Sequence, residues 1–217
     1  MKILKPVSTL GFTGGSHGEM TGKMLIEIEK VLMKEQPDMV LLFGDTNSTM
    51  AAALAAVKLH IPVCHVEAGN RFGTLESPEE VNRTVTDHVS AINLPCTESS
   101  FRFLEREGLA ETAAVVGDPM YDAFRYYTDH LDGSELKELA DFDGKPVSLP
   151  TEFYYMTCHR QENTDTDEKL RNIFDAMEEL DAPTVYPVHP RNHDRAARLV
   201  REDGYRKIIL PQPVGCQ

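Results

Sequence analysis

Four polar clusters follow one another between Asp38 and Asp87: Gly44-Asp45-Thr46-Asn47-Ser48, His65-Val66-Glu67-Ala68-Gly69, Ser77-Pro78-Glu79-Glu80 and Val81-Asn82-Arg83. Carboxylates of this kind can donate and remove protons when a neighbouring anion or burial keeps one of them protonated near neutral pH. The clusters are rich in carboxylate and poor in glycine loops, which points to sugar chemistry rather than to the cradling of a phosphate. Asp45 and Glu67 each fall just after an apolar run, where a strand of an open α/β sheet hands over to a loop, and ligand crevices form at such handovers. Glu79 and Arg83 are four residues apart on one helix, so Arg83 is placed to orient or neutralise whichever carboxylate faces the crevice.

Two further clusters, Thr157-Cys158-His159-Arg160-Gln161-Glu162-Asn163 and Tyr186-Pro187-Val188-His189-Pro190-Arg191-Asn192, put a histidine and an arginine at strand ends. Arginine suits bidentate phosphate contacts and histidine suits proton transfer near neutral pH. Acids in the first half of the chain and His/Arg in the second would together serve a sugar phosphate. Each residue has an ordinary alternative: Asp45 a helix cap, Glu79 with Arg83 a surface pair, His65 a packed core histidine, the His/Arg clusters caps and surface cations. Glu67 has no evident cap role or local partner.

Other chemistries fit poorly. Gly18 to Lys23 is one residue short of a P-loop, and Met24 stands where Ser or Thr would hold magnesium. The dinucleotide fingerprint G-x-G-x-x-G is absent, so no nicotinamide cofactor is expected. His65-x-Glu67 with Pro95-Cys96 imitates half of a zinc-deaminase pattern, but Ser99 occupies the position of the second cysteine. No metal site and no cofactor are expected. Cys64, Cys96, Cys158 and Cys216 lack paired spacing and read as reduced thiols. A net charge of −13 from 35 acidic and 22 basic residues argues against a nucleic-acid surface. No apolar run reaches the roughly eighteen residues of a membrane span, and a cytoplasmic location is expected.

Short β-rich runs alternate with amphipathic segments, the pattern of parallel βα units. Met24, Leu25, Ile28, Val31 and Leu32 mark a helix ending near Gln36. Strands are expected at 38–43, 62–66, 91–94 and 113–116, and helices at 46–60, 98–107 and 119–130. Ser77, Pro78 and Glu80 predict an N-cap, an N1 proline and a capping box, with Val81, Val85 and Val89 as the buried face of that helix. After a polar stretch at 132–150, strands are expected at 152–157, 184–188 and 207–210 and helices at 168–180 and 191–201. The fold class is therefore α/β with Rossmann-like parallel sheets. Residues 1–140 are expected to form an N-terminal domain without its first strand, and residues 150–217 a partial second domain.

At these residues the chain resembles the non-hydrolysing UDP-N-acetylglucosamine 2-epimerases. Ser16-His17-Gly18-Glu19-x-Thr21-Gly22, Gly44-Asp45-Thr46-x-Ser48-Thr49, His65-Val66-Glu67-Ala68-Gly69-x-Arg71, Pro78-Glu79-Glu80-Val81-Asn82-Arg83, His159-Arg160-x-Glu162-Asn163 and Pro187-Val188-His189-Pro190 match the family's motifs in order, over about residues 14–211. The resemblance implies two Rossmann-like domains arranged as in B-type glycosyltransferases, the second incomplete here. It implies interconversion of UDP-GlcNAc and UDP-ManNAc without NAD or an obligatory metal, and a homodimer in the intact family. Asp45, Glu67, Glu79 and His159 would be catalytic, and Arg83, Arg160, His189 and His17 would hold substrate. His17, Arg160 and His189 are also candidates for the regulatory UDP-GlcNAc site of some members. A hydrolysing relative, an acetamido-uronic acid variant and a non-catalytic UDP-sugar module are the alternatives. The family's opening strand with its Gly-Thr-Arg-Pro-Glu loop and its later Ser-Gly-Gly-x-x-Glu-Glu segment do not occur, so a chain truncated at both ends is expected. Asn70 replaces a usual leucine, and Cys158 a usual glycine or alanine.

Overall fold

The computed structural model describes residues 6, 9–12, 15–75, 77–130, 139–141, 144–158, 161–189 and 192–212, with the side chains of 161 and 162 left aside. The chain divides into two compact units, Met1–Thr128 and Asp129–Gln217.

The first unit opens with α1 (His17–Glu35). The Ser16 side chain caps it by accepting from the Glu19 amide at 3.3 Å, and it stops at Gln36, whose left-handed φ of 46° precedes Pro37. Strand β1 (Val40–Phe43) leads into α2 (Asn47–Lys58), capped by Thr46. Ala51, Ala53, Ala55 and Ala56 of α2 are fully buried, since small side chains let the helix lie close to its neighbours. Leu32, Ala53, Ala55, Ala56 and Val63 form the centre of this core, with Ile28, Val40, Leu42 and Val89 packed around it.

Strand β2 (Val63–Val66) follows, then α3 (Pro78–Val89), β3 (Ile92–Leu94), α4 (Glu98–Arg106), a 3₁₀ turn (Ala110–Thr112) and α5 (Pro119–His130). The strands are parallel in the order β1-β2-β3. Every residue of the central β2 is buried, whereas β1 turns Leu41 and Phe43 outward. The strand expected at 113–116 shrinks to one bridge, Asn93 to Ala113. The amides of Ala114 and Val116 still reach the carbonyls of Asn93 and Pro95, but Val115 and Val116 are exposed and pair no further.

The second unit contains β4 (Tyr154–Tyr155), α6 (Gln161–Thr164), α7 (Asp167–Glu178), β5 (Thr184–Val185), α8 (His193–Asp203) and β6 (Ile208–Ile209). Its strands are also parallel, in the order β4-β5-β6. Leu170, Phe174, Met177, Tyr186, Val188, Ala196, Leu199 and Ile208 make a separate core. Both units are thus parallel α/β sheets, the class the sequence predicts. Among the described residues no helix is long and apolar enough to cross a membrane.

Candidate active site

Phe43 of β1 lies opposite Val66 of β2, so Gly44-Asp45 and Glu67 leave the same edge of the sheet from neighbouring strands. Glu67 turns with φ 69°, a left-handed conformation that costs a non-glycine residue about 1–2 kcal/mol. Such backbone persists where its surroundings over-determine it. Here the Glu67 amide donates to the Leu94 carbonyl at 3.1 Å, and Ala68 and Gly69 behind it are buried. A Cβ placed on Gly44 would lie 3.9 Å from Glu67 Oε2, so the Glu67 carboxylate leans over the turn that carries Asp45.

The two carboxylates are held differently. Arg83 Nη2 donates to Asp45 Oδ2 at 2.5 Å, and Asn82 Nδ2 donates to the Asp45 carbonyl at 2.9 Å. Among the described residues the Glu67 carboxylate makes no ion pair. One carboxylate is therefore tied to a cation and the other is not.

Arg83 is 4% exposed, with Nη1 3.3 Å from Glu80 Oε2 and its guanidinium 4.6 Å over the Phe72 ring. Glu80 Oε1 in turn accepts from the amides of Phe72 and Gly73 at 2.9 and 3.2 Å. Arg83 thus pairs with Asp45 and Glu80. Two expectations for α3 are corrected. The capping box is not made, because the Ser77 hydroxyl donates to Glu79 Oε2 at 2.6 Å and Glu80 is committed to the 72–73 turn. The fully buried positions are Glu80, Asn82, Arg83, Thr86 and Asp87, whereas Val85 and Val89 are only partly buried and Val81 is 38% exposed. Nor is Asp45 the cap of α2, since Thr46 takes that role.

Beneath the two turns lies His65, fully buried. Its Nε2 is 2.8 Å from the Gly44 carbonyl and its Nδ1 is 2.6 Å from Asp87 Oδ1. Asp87 Oδ2 also accepts from the Gly69 amide at 3.0 Å and lies 2.8 Å from Arg71 Nη1. Arg71 makes a two-pronged contact with Glu107, both arms 2.7 Å. Burial opposes the Arg71 charge, but the hydrogen bonds and charges of Glu107 and Asp87 outweigh it and hold the guanidinium above its ordinary range. Asn70 has a local function too, with its Oδ1 accepting the Ser100 hydroxyl at 2.8 Å.

In the sequence Asp87 carries no role, Glu80 only that of a cap and Arg71 only a place in a motif, and His65 has the ordinary alternative of a core histidine. Glu80, Arg83 and Asp87 are spaced three and four apart, a single helical face. That spacing was the available signal, masked by the equally regular valines one position along.

Cys96, just past β3, adjoins the same edge. Burial first, then the Asp118 and Glu67 carboxylates, push its thiol above the usual range, against a hydrogen bond from the Glu67 backbone. Glu79 is exposed in the first turn of α3, and His17 is exposed at the start of α1. His189 is exposed past β5, where its carbonyl accepts from the Asn192 amide at 2.8 Å. His159 and Arg160 lie outside the described residues. Among the described residues no cluster of His, Cys, Asp or Glu is suited to a metal ion.

A parallel α/β sheet with polar side chains gathered at the carboxyl ends of its strands is the architecture of a ligand-binding domain. The family model described as UDP-N-acetylglucosamine 2-epimerase matches residues 1–217, and the chain belongs to that family. It is 43% identical over 205 residues to a Pseudomonas aeruginosa UDP-2,3-diacetamido-2,3-dideoxy-D-glucuronate 2-epimerase, covering 91% of this chain and 54% of that protein. It is 40% identical over 223 residues to the Methanocaldococcus jannaschii UDP-N-acetylglucosamine 2-epimerase, covering 99% and 60%. A crystal structure of the M. jannaschii UDP-GlcNAc 2-epimerase in complex with UDP-GlcNAc and UDP superposes with a TM-score of 0.81 at 38% identity, again over 99% and 60%. The chain thus spans between half and two thirds of the length of these relatives.

Proposed function

We propose that the chain acts on UDP-GlcNAc as a non-hydrolysing 2-epimerase, exchanging it with UDP-ManNAc. The observation that carries this reading is the pairing of Asp45 and Glu67 on adjacent strand ends, with Glu67 over the Asp45 turn and Arg83 on Asp45. The C2 hydrogen of the sugar is not adjacent to a carbonyl, so its direct removal as a proton is prohibitive. Loss of that proton together with departure of UDP from C1 instead forms a C1=C2 double bond, giving 2-acetamidoglucal. Return of the proton to the opposite face of C2, with UDP re-adding at C1, completes the inversion.

In this scheme Glu67 or Asp45 moves the C2 proton, and Glu79 lies toward the departing phosphate. His159 and Arg160 stabilise charge on the leaving diphosphate. His17 and His189 are proposed contacts to substrate or to a regulatory UDP-GlcNAc.

The test is NMR of the purified chain with UDP-GlcNAc in deuterated water. Deuterium at C2 and a UDP-ManNAc anomeric signal are expected, both lost in Glu67→Gln. Free sugar with UDP would instead mark the hydrolysing reaction. No exchange in a folded chain would refute turnover by it and point to a UDP-sugar-binding module. A second reading, a UDP-diacetamido-glucuronate substrate, is favoured by the 43% identity to the P. aeruginosa protein. It predicts faster C2 exchange with that uronate than with UDP-GlcNAc.

A further inference from the structure

His65 and Asp87 are both fully buried, and together they touch the turns after β1 and β2. The Gly44 carbonyl can only accept, so His65 Nε2–H donates to it. Asp87 already accepts from Gly69 and faces Arg71 as an anion, so Nδ1–H donates as well, and the ring carries hydrogen on both nitrogens. Packing alone would not require this, because a buried ion pair is generally no more stable than apolar residues of the same volume. Its effect is geometric. The Gly44 carbonyl belongs to the peptide whose amide is that of Asp45, so rotation of that peptide would swing Asp45. The Gly69 amide fixes the turn that holds Glu67 in its left-handed conformation.

We propose that His65 and Asp87 are a buried positioning pair that sets the Asp45 and Glu67 turns relative to one another without touching substrate. The other charged groups around the pair are Arg71, its partner Glu107, and His88, 3.8 Å from Glu107. They secure Asp87 from the outer side, while His65 faces inward to Gly44. The catalytic consequence rests on the epimerase reading above; the coupling of the two turns does not.

The experiment uses the isotope-labelled full chain and the variants Asp87→Asn and His65→Gln. Amide signals of both the 44–46 and 67–69 turns are expected to shift in each variant, with hydrogen exchange there faster by about tenfold or more. With UDP-GlcNAc, kcat is expected to fall about a hundredfold while KM stays within about threefold. Disturbance confined to one turn would overturn the proposal. Should the variants not fold, the wild-type chain decides. A scalar coupling between His65 Nε2 and the Gly44 carbonyl carbon, with hydrogen on both ring nitrogens, supports the pair; a ring with one hydrogen overturns it. Coupled turns without C2 exchange would sink the functional reading alone, and turnover with uncoupled turns would sink the pair alone.

Discussion

Glu67 combines a free carboxylate with a left-handed backbone, and its two properties can be separated by substitution. Glu67→Ala keeps the strained φ without the carboxylate, whereas Glu67→Gly removes both carboxylate and strain. Glycine is therefore expected to be the more stable of the two by about 1 kcal/mol, reversing the usual order; urea midpoints decide it. Arg83 offers the opposite case. Arg83→Gln leaves Glu80 buried without a cation and frees Asp45 from Arg83, at a cost of about 3 kcal/mol by chemical denaturation together with lost turnover. Cys96 reports the local field. Because burial, Asp118 and Glu67 hold its thiol above the usual range, alkylation should be slow at pH 8 and accelerate only as pH rises past that range. An alkylation rate equal to that of a free cysteine peptide would contradict this.

At the level of elements, the approach of α4 to the turn after β2 leaves no room for a side chain. A Cβ on Gly69 would meet the Ser100 carbonyl oxygen at 2.4 Å and Leu104 Cγ at 2.8 Å, at a φ of 79°. Gly69→Ala should therefore cost at least about 2 kcal/mol and lower the thermal midpoint, with the loss concentrated in the first unit. In the second unit, Tyr186 joins the residue after β5 to the end of β4 by donating to the Cys158 carbonyl at 2.6 Å. Burial first, then Cys158, push its hydroxyl up to about 12, against about 10 in an unfolded chain. The folded state holds that proton more tightly, so this stability is fully present below the unfolded value and is lost as pH rises from about 10 through about 12. Tyr186→Phe should cost about 1 kcal/mol at neutral pH and flatten part of the alkaline loss, to which Tyr205, also pushed up to about 12, contributes as well.

For the molecule as a whole, the charge of −13 predicts no retention on a DNA column at moderate salt, and retention would contradict the surface reading. The alternation of apolar runs with amphipathic segments was enough to announce parallel α/β units, because burial on both faces of a strand and one face of a helix imposes those periods. Strand ends were legible for the same reason, and with them the places of Asp45 and Glu67. What the sequence could not decide was which of two regular faces α3 turns inward. Val81, Val85 and Val89 have the better hydrophobic claim, but Glu80, Arg83 and Asp87 are fully buried, since their partners, the Phe72 and Gly73 amides, Asp45 and His65, all come from outside the helix. A polar face can enter a core only when each charge meets its complement there. The sequence by itself determined the strand-helix alternation and the chemical types at the strand ends. Only the tertiary structure decided that Arg83 belongs to Asp45 and that His65 joins two turns, because those pairings are contacts between segments whose separation along the chain carries no period to read.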